Sequence, residues 1–161
     1  MAIRIGILGD IGSGKSHIAK AFGYPVFNAD KEVADIYKKN KRIFIKLKKV
    51  LPKFIYSFPI NKNEIIKAIF ANKMNLKKIT KIIHSEIRKE MSKFLKKHVN
   101  KKIVILDIPL LLENKINKKE DILVFVKSNK KDILKRLKKR PGFNYKLFIK
   151  FKKIQLPLDY K

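Results

Sequence analysis

The sequence predicts an α/β protein in which a parallel sheet is covered by helices on both faces. Apolar runs at residues 3–8, 26–27, 102–107 and 121–126 have the length and the β-branched content of buried strands. Segments with apolar residues at spacings of three and four lie between them and predict helices. Strands that are apolar throughout and alternate with helices are typical of parallel sheets.

The first half of the chain gives three helices. The first is predicted over residues 15–22, where Gly23 and Pro25 end it. Two more are predicted over about 31–39 and 42–51. We therefore expect the second strand to lie between the first and second helices.

The second half of the chain is organised around a long helical segment at residues 63–98. An irregular stretch at residues 52–59 precedes it, and Asn75 is a plausible N-cap of its second helix. After the fourth strand, Asn129 is a plausible cap of a helix that ends at Pro141–Gly142.

Composition narrows the class of protein. A length of 161 residues fits one domain, and the lack of cysteine excludes disulfides and thiolate metal sites. The N-terminus does not resemble a signal peptide, and no apolar run approaches the roughly 20 residues of a membrane span. We therefore expect a soluble, cytoplasmic protein.

The net charge of +28 admits three interpretations. Nearly all of the positive charge is lysine and is spread along the chain, which favours a general composition bias over a nucleic-acid footprint. An enzyme with polyanionic substrates would also gain from a positive field. We expect no specific nucleic-acid partner, and the oligomeric state stays open.

The segment GDIGSGKS at residues 9–16 fits the phosphate-loop pattern G-x-x-x-x-G-K-[ST]. Glycines allow positive φ, so that backbone N–H groups can surround an anion. Lys15 would reach the β- and γ-phosphates of a nucleotide, and the Ser16 hydroxyl would bind Mg²⁺. The alternative is a chance match, which is disfavoured because the loop follows a predicted strand and begins a predicted helix.

Two aspartates follow predicted strands, where parallel sheets bind ligands. Asp30 could orient or deprotonate an attacking hydroxyl, or it could be a helix N-cap. Asp107 could hold magnesium directly or through water, or it could be a turn residue at the strand end.

Two pairs of residues at i, i+4 spacing combine groups that bind anions. Arg136 and Arg140 would share one helix face and suit phosphate oxygens, although a solvated face gives the same pattern. His84 and Arg88 could bind an anionic substrate, although a lone histidine is more often structural.

Five segments follow one another along the chain: GILGDIGSGKS, VFNADKEVADIY, IIHSEIRKEM, LDIPLLLE, and RLKKRPGF with the later Gln155. In this order they resemble the dephospho-coenzyme A kinase family. The phosphate loop alone is shared by many families, whereas DIPLLLE together with NAD and IIH is far more specific. The resemblance implies a P-loop NTPase fold with three α/β/α layers, an inserted helical substrate lobe at about 53–98 and a lid at about 136–152.

The resemblance also implies an activity, which is transfer of the γ-phosphoryl group of ATP to the ribose 3′-hydroxyl of dephospho-CoA with Mg²⁺. Asp30, Lys15 and Arg140 would be catalytic, and Asp107 would serve the metal and the acceptor. His84 and Arg88 would bind dephospho-CoA with Asp30. The expected nucleotide-binding residues are Gly12, Ser13, Gly14, Lys15, Ser16, His17 and Arg136.

This chain departs from the family pattern in several places. Asn28 stands where an aspartate is usual, which leaves Asp30 as the expected carboxylate, and Ser85 replaces a proline. Asp10 adds a negative charge to the phosphate loop, which should weaken nucleotide binding unless it points away. The C-terminal edge strand of the family is expected to be missing. The alternatives are another P-loop kinase, a truncated inactive homologue and a basic nucleic-acid-binding protein.

Overall fold

The computed structural model describes residues 2–109, 111–112, 114–139 and 142–156. Within these ranges the strands are β1 (Ile3–Gly9), β2 (Val26–Asn28), β3 (Ile103–Asp107) and β4 (Ile122–Val126). All pair in parallel in the order β2-β3-β1-β4, which confirms the predicted α/β class. The helices are α1 (Lys15–Ala21), α2 (Ala29–Lys39), α3 (Lys41–Val50), α4 (Lys62–Ala71), α5 (Lys73–Lys97), α6 (Lys130–Lys138) and α7 (Tyr145–Lys152).

The chain forms two compact units, of which the first contains the sheet. It comprises Met1–Asn28 and Leu95–Lys161, and the second comprises Ala29–Phe94. The second unit is helical and begins at Ala29, whereas the lobe was predicted to begin near residue 53. Its role in substrate binding stays a prediction.

The core of the sheet unit lies on the central strands. Five consecutive residues of β1 are buried, as expected for a strand with both faces covered. Ile5, Ile7 and Ile105 pack with Ala19 of α1 in one apolar cluster. Burial of each large side chain contributes about 1.5–3 kcal/mol, so this cluster fixes α1 against the sheet.

The outer strand β4 is less buried than its sequence predicts. Its run of apolar residues indicates a buried strand, but Ile122, Leu123 and Phe125 are exposed. The cause is its place at one side of the described sheet, next to β1 alone. Among the described helices, none combines the length and apolar character that a membrane crossing requires.

Of the two predicted helix caps, Asn75 is wrong, whereas Asn129 has the predicted position. Asn75 lies inside α5, is buried, and donates from Nδ2 to the Ala68 carbonyl oxygen at 3.0 Å. Asn72 lies at the helix start instead, and its Oδ1 accepts from Met74 N at 2.8 Å. Asn129 occupies the N-cap position of α6 without a capping side-chain hydrogen bond.

Candidate active site

The phosphate-loop sequence connects β1 to α1 at the carboxyl end of the sheet. Gly9 has a φ of 140°, and a Cβ there would lie 2.5 Å from the Val126 carbonyl oxygen. A side chain at this position is therefore excluded by both the backbone angle and the neighbouring strand. The loop closes by a hydrogen bond from Ser13 N to the Asp10 carbonyl oxygen at 3.0 Å.

Lys15 lies across this loop. Its Nζ donates to the carbonyl oxygens of Gly9 at 3.0 Å and Asp10 at 2.7 Å. Ser13 is 3% exposed, and within the described ranges its Oγ has no hydrogen-bond partner. A buried hydroxyl without a partner and a lysine ammonium on the same loop suit phosphate oxygens, so these residues fit a nucleoside triphosphate.

Asp107 and Asn28 meet at the ends of β3 and β2. The two residues are paired in the strand register, and Asn28 Nδ2 donates to Asp107 Oδ2 at 2.5 Å. Asp107 is 3% exposed. The carboxylate therefore lies at the carboxyl edge of the sheet, where its sequence position predicted it.

Asp30 is the second residue of α2 and is exposed. Because α2 begins at Ala29, the alternative interpretation of Asp30 as the helix N-cap is wrong. A carboxylate in a first turn is favoured by the helix dipole. Asp30 thus lies two residues after the end of β2, in the first turn of the next helix.

The described residues contain no group of three or more His, Asp or Glu side chains able to hold a metal ion by themselves. Mg²⁺ is commonly held by one or two protein oxygens together with substrate phosphates and water. Ser16 and Asp107 supply oxygen atoms of the kind that Mg²⁺ prefers, and their role as its ligands stays a prediction.

Arg136 of α6 lies against the phosphate loop. Its Nη1 donates to the Ser13 carbonyl oxygen at 3.1 Å, to the Gly12 carbonyl oxygen at 3.4 Å and to Ser128 Oγ at 2.8 Å. Its predicted place among nucleotide-binding residues stays a prediction. Arg140 lies outside the described residues.

His84 and Arg88 lie on α5 in the helical unit. Burial lowers the pKa of His84 from its usual value of 6.5, and the charge of Arg88 lowers it further. Arg88 itself is exposed. At neutral pH the pair therefore offers one fixed cation and one neutral imidazole.

A cleft of about 190 Å³ opens beside the loop in the sheet unit. Asp10 and Ile11 line one side, and residues of α6 and α7 together with Gln155 line the rest, including Lys130, Lys152 and Tyr145. Asp10 thus lines a cleft that also contains two lysines, and its carbonyl oxygen accepts from Lys15.

Two features of the site were not predicted from the sequence. Ser128 follows β4 and binds Arg136, and Asn28 binds Asp107. The rule that selected Asp107, a polar residue at the carboxyl end of a strand, extends to Ser128, which lies two residues after the end of β4. The pairing of Asn28 with Asp107 depends on strand register, which the sequence did not reveal.

The chain is similar to known proteins over most of its length. A family model described as dephospho-CoA kinase matches residues 3–159. The chain is 34% identical over 162 residues to the dephospho-CoA kinase of Wolbachia sp. subsp. Brugia malayi (strain TRS), covering 98% of this chain and 83% of that protein. It is 28% identical over 168 residues to the dephospho-CoA kinase of Bacillus thuringiensis subsp. konkukian (strain 97-27), covering 100% of this chain and 84% of that protein.

The fold is also similar to a solved structure, the crystal structure of TT1252 from Thermus thermophilus. The TM-score is 0.79 at 26% sequence identity, and the match covers 99% of this chain and 83% of the other. The resemblance inferred from the motifs is thereby confirmed. Because the family model matches nearly every residue, the chain belongs to the dephospho-CoA kinase family.

Proposed function

We propose that this chain transfers the γ-phosphoryl group of ATP to the ribose 3′-hydroxyl of dephospho-CoA, giving CoA and ADP. The observation that carries the proposal is the phosphate loop at the carboxyl end of β1, with the buried Asp107 carboxylate at the end of the adjacent strand β3, in a chain matched by the family model. Phosphoryl transfer to a hydroxyl requires a bound nucleotide and a carboxylate held in a fixed position.

The loop residues Gly12–His17 hold the ATP phosphates in this proposal. The Lys15 ammonium already lies within hydrogen-bond distance of two loop carbonyl oxygens, so its charge is held over the loop. The unpartnered Ser13 hydroxyl supplies a further donor. These groups stabilise charge that develops on the phosphoryl oxygens in the transition state.

Ser16 and Asp107 would hold Mg²⁺ with the nucleotide. When bound, Mg²⁺ neutralises phosphate charge as the bond to the leaving ADP breaks. Asp107 contributes a carboxylate that its burial and the Asn28 amide keep in one place.

Asp30 accepts the proton of the 3′-hydroxyl, because it is exposed and closely follows β2 at the carboxyl end of the sheet. The new O–P bond forms as the bond between the γ-phosphorus and the bridging oxygen breaks, and ADP leaves. His84 and Arg88 bind the acceptor, with the Arg88 cation attracting its phosphates. The segment at about 53–98 acts as the acceptor lobe.

Arg136 and Arg140 stabilise the transferring charge, and the segment at about 136–152 acts as a lid. Support for Arg136 comes from its contacts with the Gly12 and Ser13 carbonyl oxygens, which place its guanidinium at the loop. A guanidinium can bind phosphate oxygens through two parallel hydrogen bonds.

The test is release of ADP in a coupled assay, with CoA identified by mass spectrometry. The reaction should require ATP, dephospho-CoA and Mg²⁺, and Asp30→Asn should lower kcat by about 100-fold or more, since general base catalysis contributes 10²–10⁴-fold. Asp35→Asn is the matched control, because Asp35 lies on the same helix in an ion pair with Lys39 at 3.1 Å.

The control should retain the activity of the unchanged chain. ADP release that needs no dephospho-CoA, or that uses adenylate or shikimate instead, contradicts the proposed acceptor. Equal activity of the Asp30→Asn and Asp35→Asn variants contradicts the proposed base.

A further inference from the structure

Asn28 and Asp107 end two neighbouring parallel strands and face each other in the register. Strand β3 lies between β2 and β1 in the sheet. Asp107 therefore lies between Asn28 and the strand that leads into the phosphate loop. This arrangement places an amide on the side of Asp107 away from that loop.

The hydrogen bond between them determines how the carboxylate is held. Asp107 is 3% exposed, so water does little to satisfy its oxygens. An ionised carboxylate only accepts hydrogen bonds, so the Asn28 side chain presents its NH₂ group and donates to Oδ2 at 2.5 Å. The amide stabilises the carboxylate without cancelling its charge, as an ion pair would.

We infer that Asn28 is a positioning residue for Asp107. It fixes the rotation of the carboxylate by engaging Oδ2. The kinetic part of this inference rests on the proposed function. The structural part, a pairing of one donor with one acceptor at positions 28 and 107, does not.

The same geometry predicts that an aspartate, the usual residue of the family at position 28, would weaken the contact with Asp107 in this chain. Two carboxylates in this contact would both be acceptors, and they would add like charges at a buried site. Alanine would remove the donor and leave the Asp107 carboxylate buried with one contact fewer.

The first arm of the test measures thermal unfolding of the full chain without ligand at neutral pH. Asn28→Asp should lower Tm by about 3 °C or more. The exchanged pair, Asn28→Asp with Asp107→Asn, should recover at least half of that loss, because one amide again faces one carboxylate. Asn61→Asp is the matched control, since Asn61 is exposed and its side chain only accepts, from Asn63 N at 2.9 Å.

Charged groups on the neighbouring elements are the same in all variants. Helix α1, which packs against β3, carries Lys15, His17 and Lys20. Strand β1 carries Arg4, which pairs with Asp121. Differences among the variants therefore report the contact between positions 28 and 107.

The second arm measures steady-state kinetics of Asn28→Ala. We expect kcat to fall about 10-fold, as when a residue that orients a ligand group is removed, with KM for ATP within about twofold of the unchanged chain. A purely structural role would leave kcat per folded molecule unchanged.

An exchanged pair no more stable than Asn28→Asp alone would overturn the inference, and so would an unchanged kcat in Asn28→Ala. If the unchanged chain makes no CoA while the exchanged pair recovers stability, the proposed function fails and the pairing of Asn28 with Asp107 stands.

Discussion

Arg136 Nη1 donates a hydrogen bond to the Ser13 carbonyl oxygen at 3.1 Å, so α6 is joined directly to the backbone of the phosphate loop. The same atom lies 2.8 Å from Ser128 Oγ, just after β4. One guanidinium group thus connects the segments that follow β1 and β4. Because α6 also contributes the buried Ile133 and Leu137, the position of Arg136 is set by packing as well as by hydrogen bonds.

Replacing Arg136 should therefore weaken use of the nucleotide. We expect Arg136→Ala to lower kcat/KM for ATP by about 10–100-fold, because hydrogen bonds to a charged group contribute about 1.5–3 kcal/mol. Steady-state kinetics at saturating dephospho-CoA would measure this. Lys135→Ala, at the neighbouring exposed position, is the control, and an equal effect of the two substitutions would contradict the prediction.

Gly12 should tolerate a side chain less well than Gly23, although both have positive φ, 85° and 71°. A Cβ at Gly12 would lie 2.9 Å from Leu137 Cγ, whereas nothing lies within 4 Å of a Cβ at Gly23. Gly23→Ala should cost about 1–2 kcal/mol for the backbone conformation alone. Gly12→Ala should cost about 1–3 kcal/mol more from overpacking. Urea unfolding measures both, and equal costs would contradict the packing role.

His84 should make stability depend on pH. Because burial and then Arg88 lower its pKa in the folded chain, the unfolded chain binds the proton more readily. The free energy of unfolding should therefore decrease as pH falls below the usual value of 6.5, and His84→Gln should reduce this decrease.

NMR titration of His84 separates the two causes. Arg88→Gln should raise the His84 pKa towards its usual value by removing the nearby charge, while Arg88→Lys should leave it low. Burial, the larger cause, remains in both variants. A His84 pKa that is the same in Arg88→Gln and Arg88→Lys would contradict the charge effect.

The ion pair between Arg4 and Asp121 should be sensitive to loss of either partner. Arg4 Nη2 lies 2.9 Å from Asp121 Oδ2, and the two side chains are 10% and 2% exposed. Asp121→Ala should lower the free energy of unfolding by about 3–5 kcal/mol, because it leaves a buried guanidinium unpaired. The double variant Arg4→Met with Asp121→Leu should lose less, and urea unfolding compares them. An equal or larger loss in the double variant would contradict this.

The local parts of the site could be predicted from residue types alone. The glycine spacing, Lys15 and Ser16 indicated a phosphate loop, and apolar runs indicated the strands, including β1, which leads into the loop. The caps were predicted less well. The prediction that Asn75 is an N-cap was wrong because its side chain donates to the Ala68 carbonyl oxygen of α4. Capping rules do not consider such a contact, which is 7 residues away in sequence.

The sequence by itself determined the succession of strands and helices along the chain, the phosphate loop and the family. These depend on the spacing of residue types within short segments. Only the tertiary structure decided that Asn28 donates to Asp107, 79 residues away, and that Arg136 binds the loop 123 residues before it. The physical reason is that strand register and helix packing bring distant residues together. Side-chain periodicity alone cannot specify which partner each strand or helix will meet.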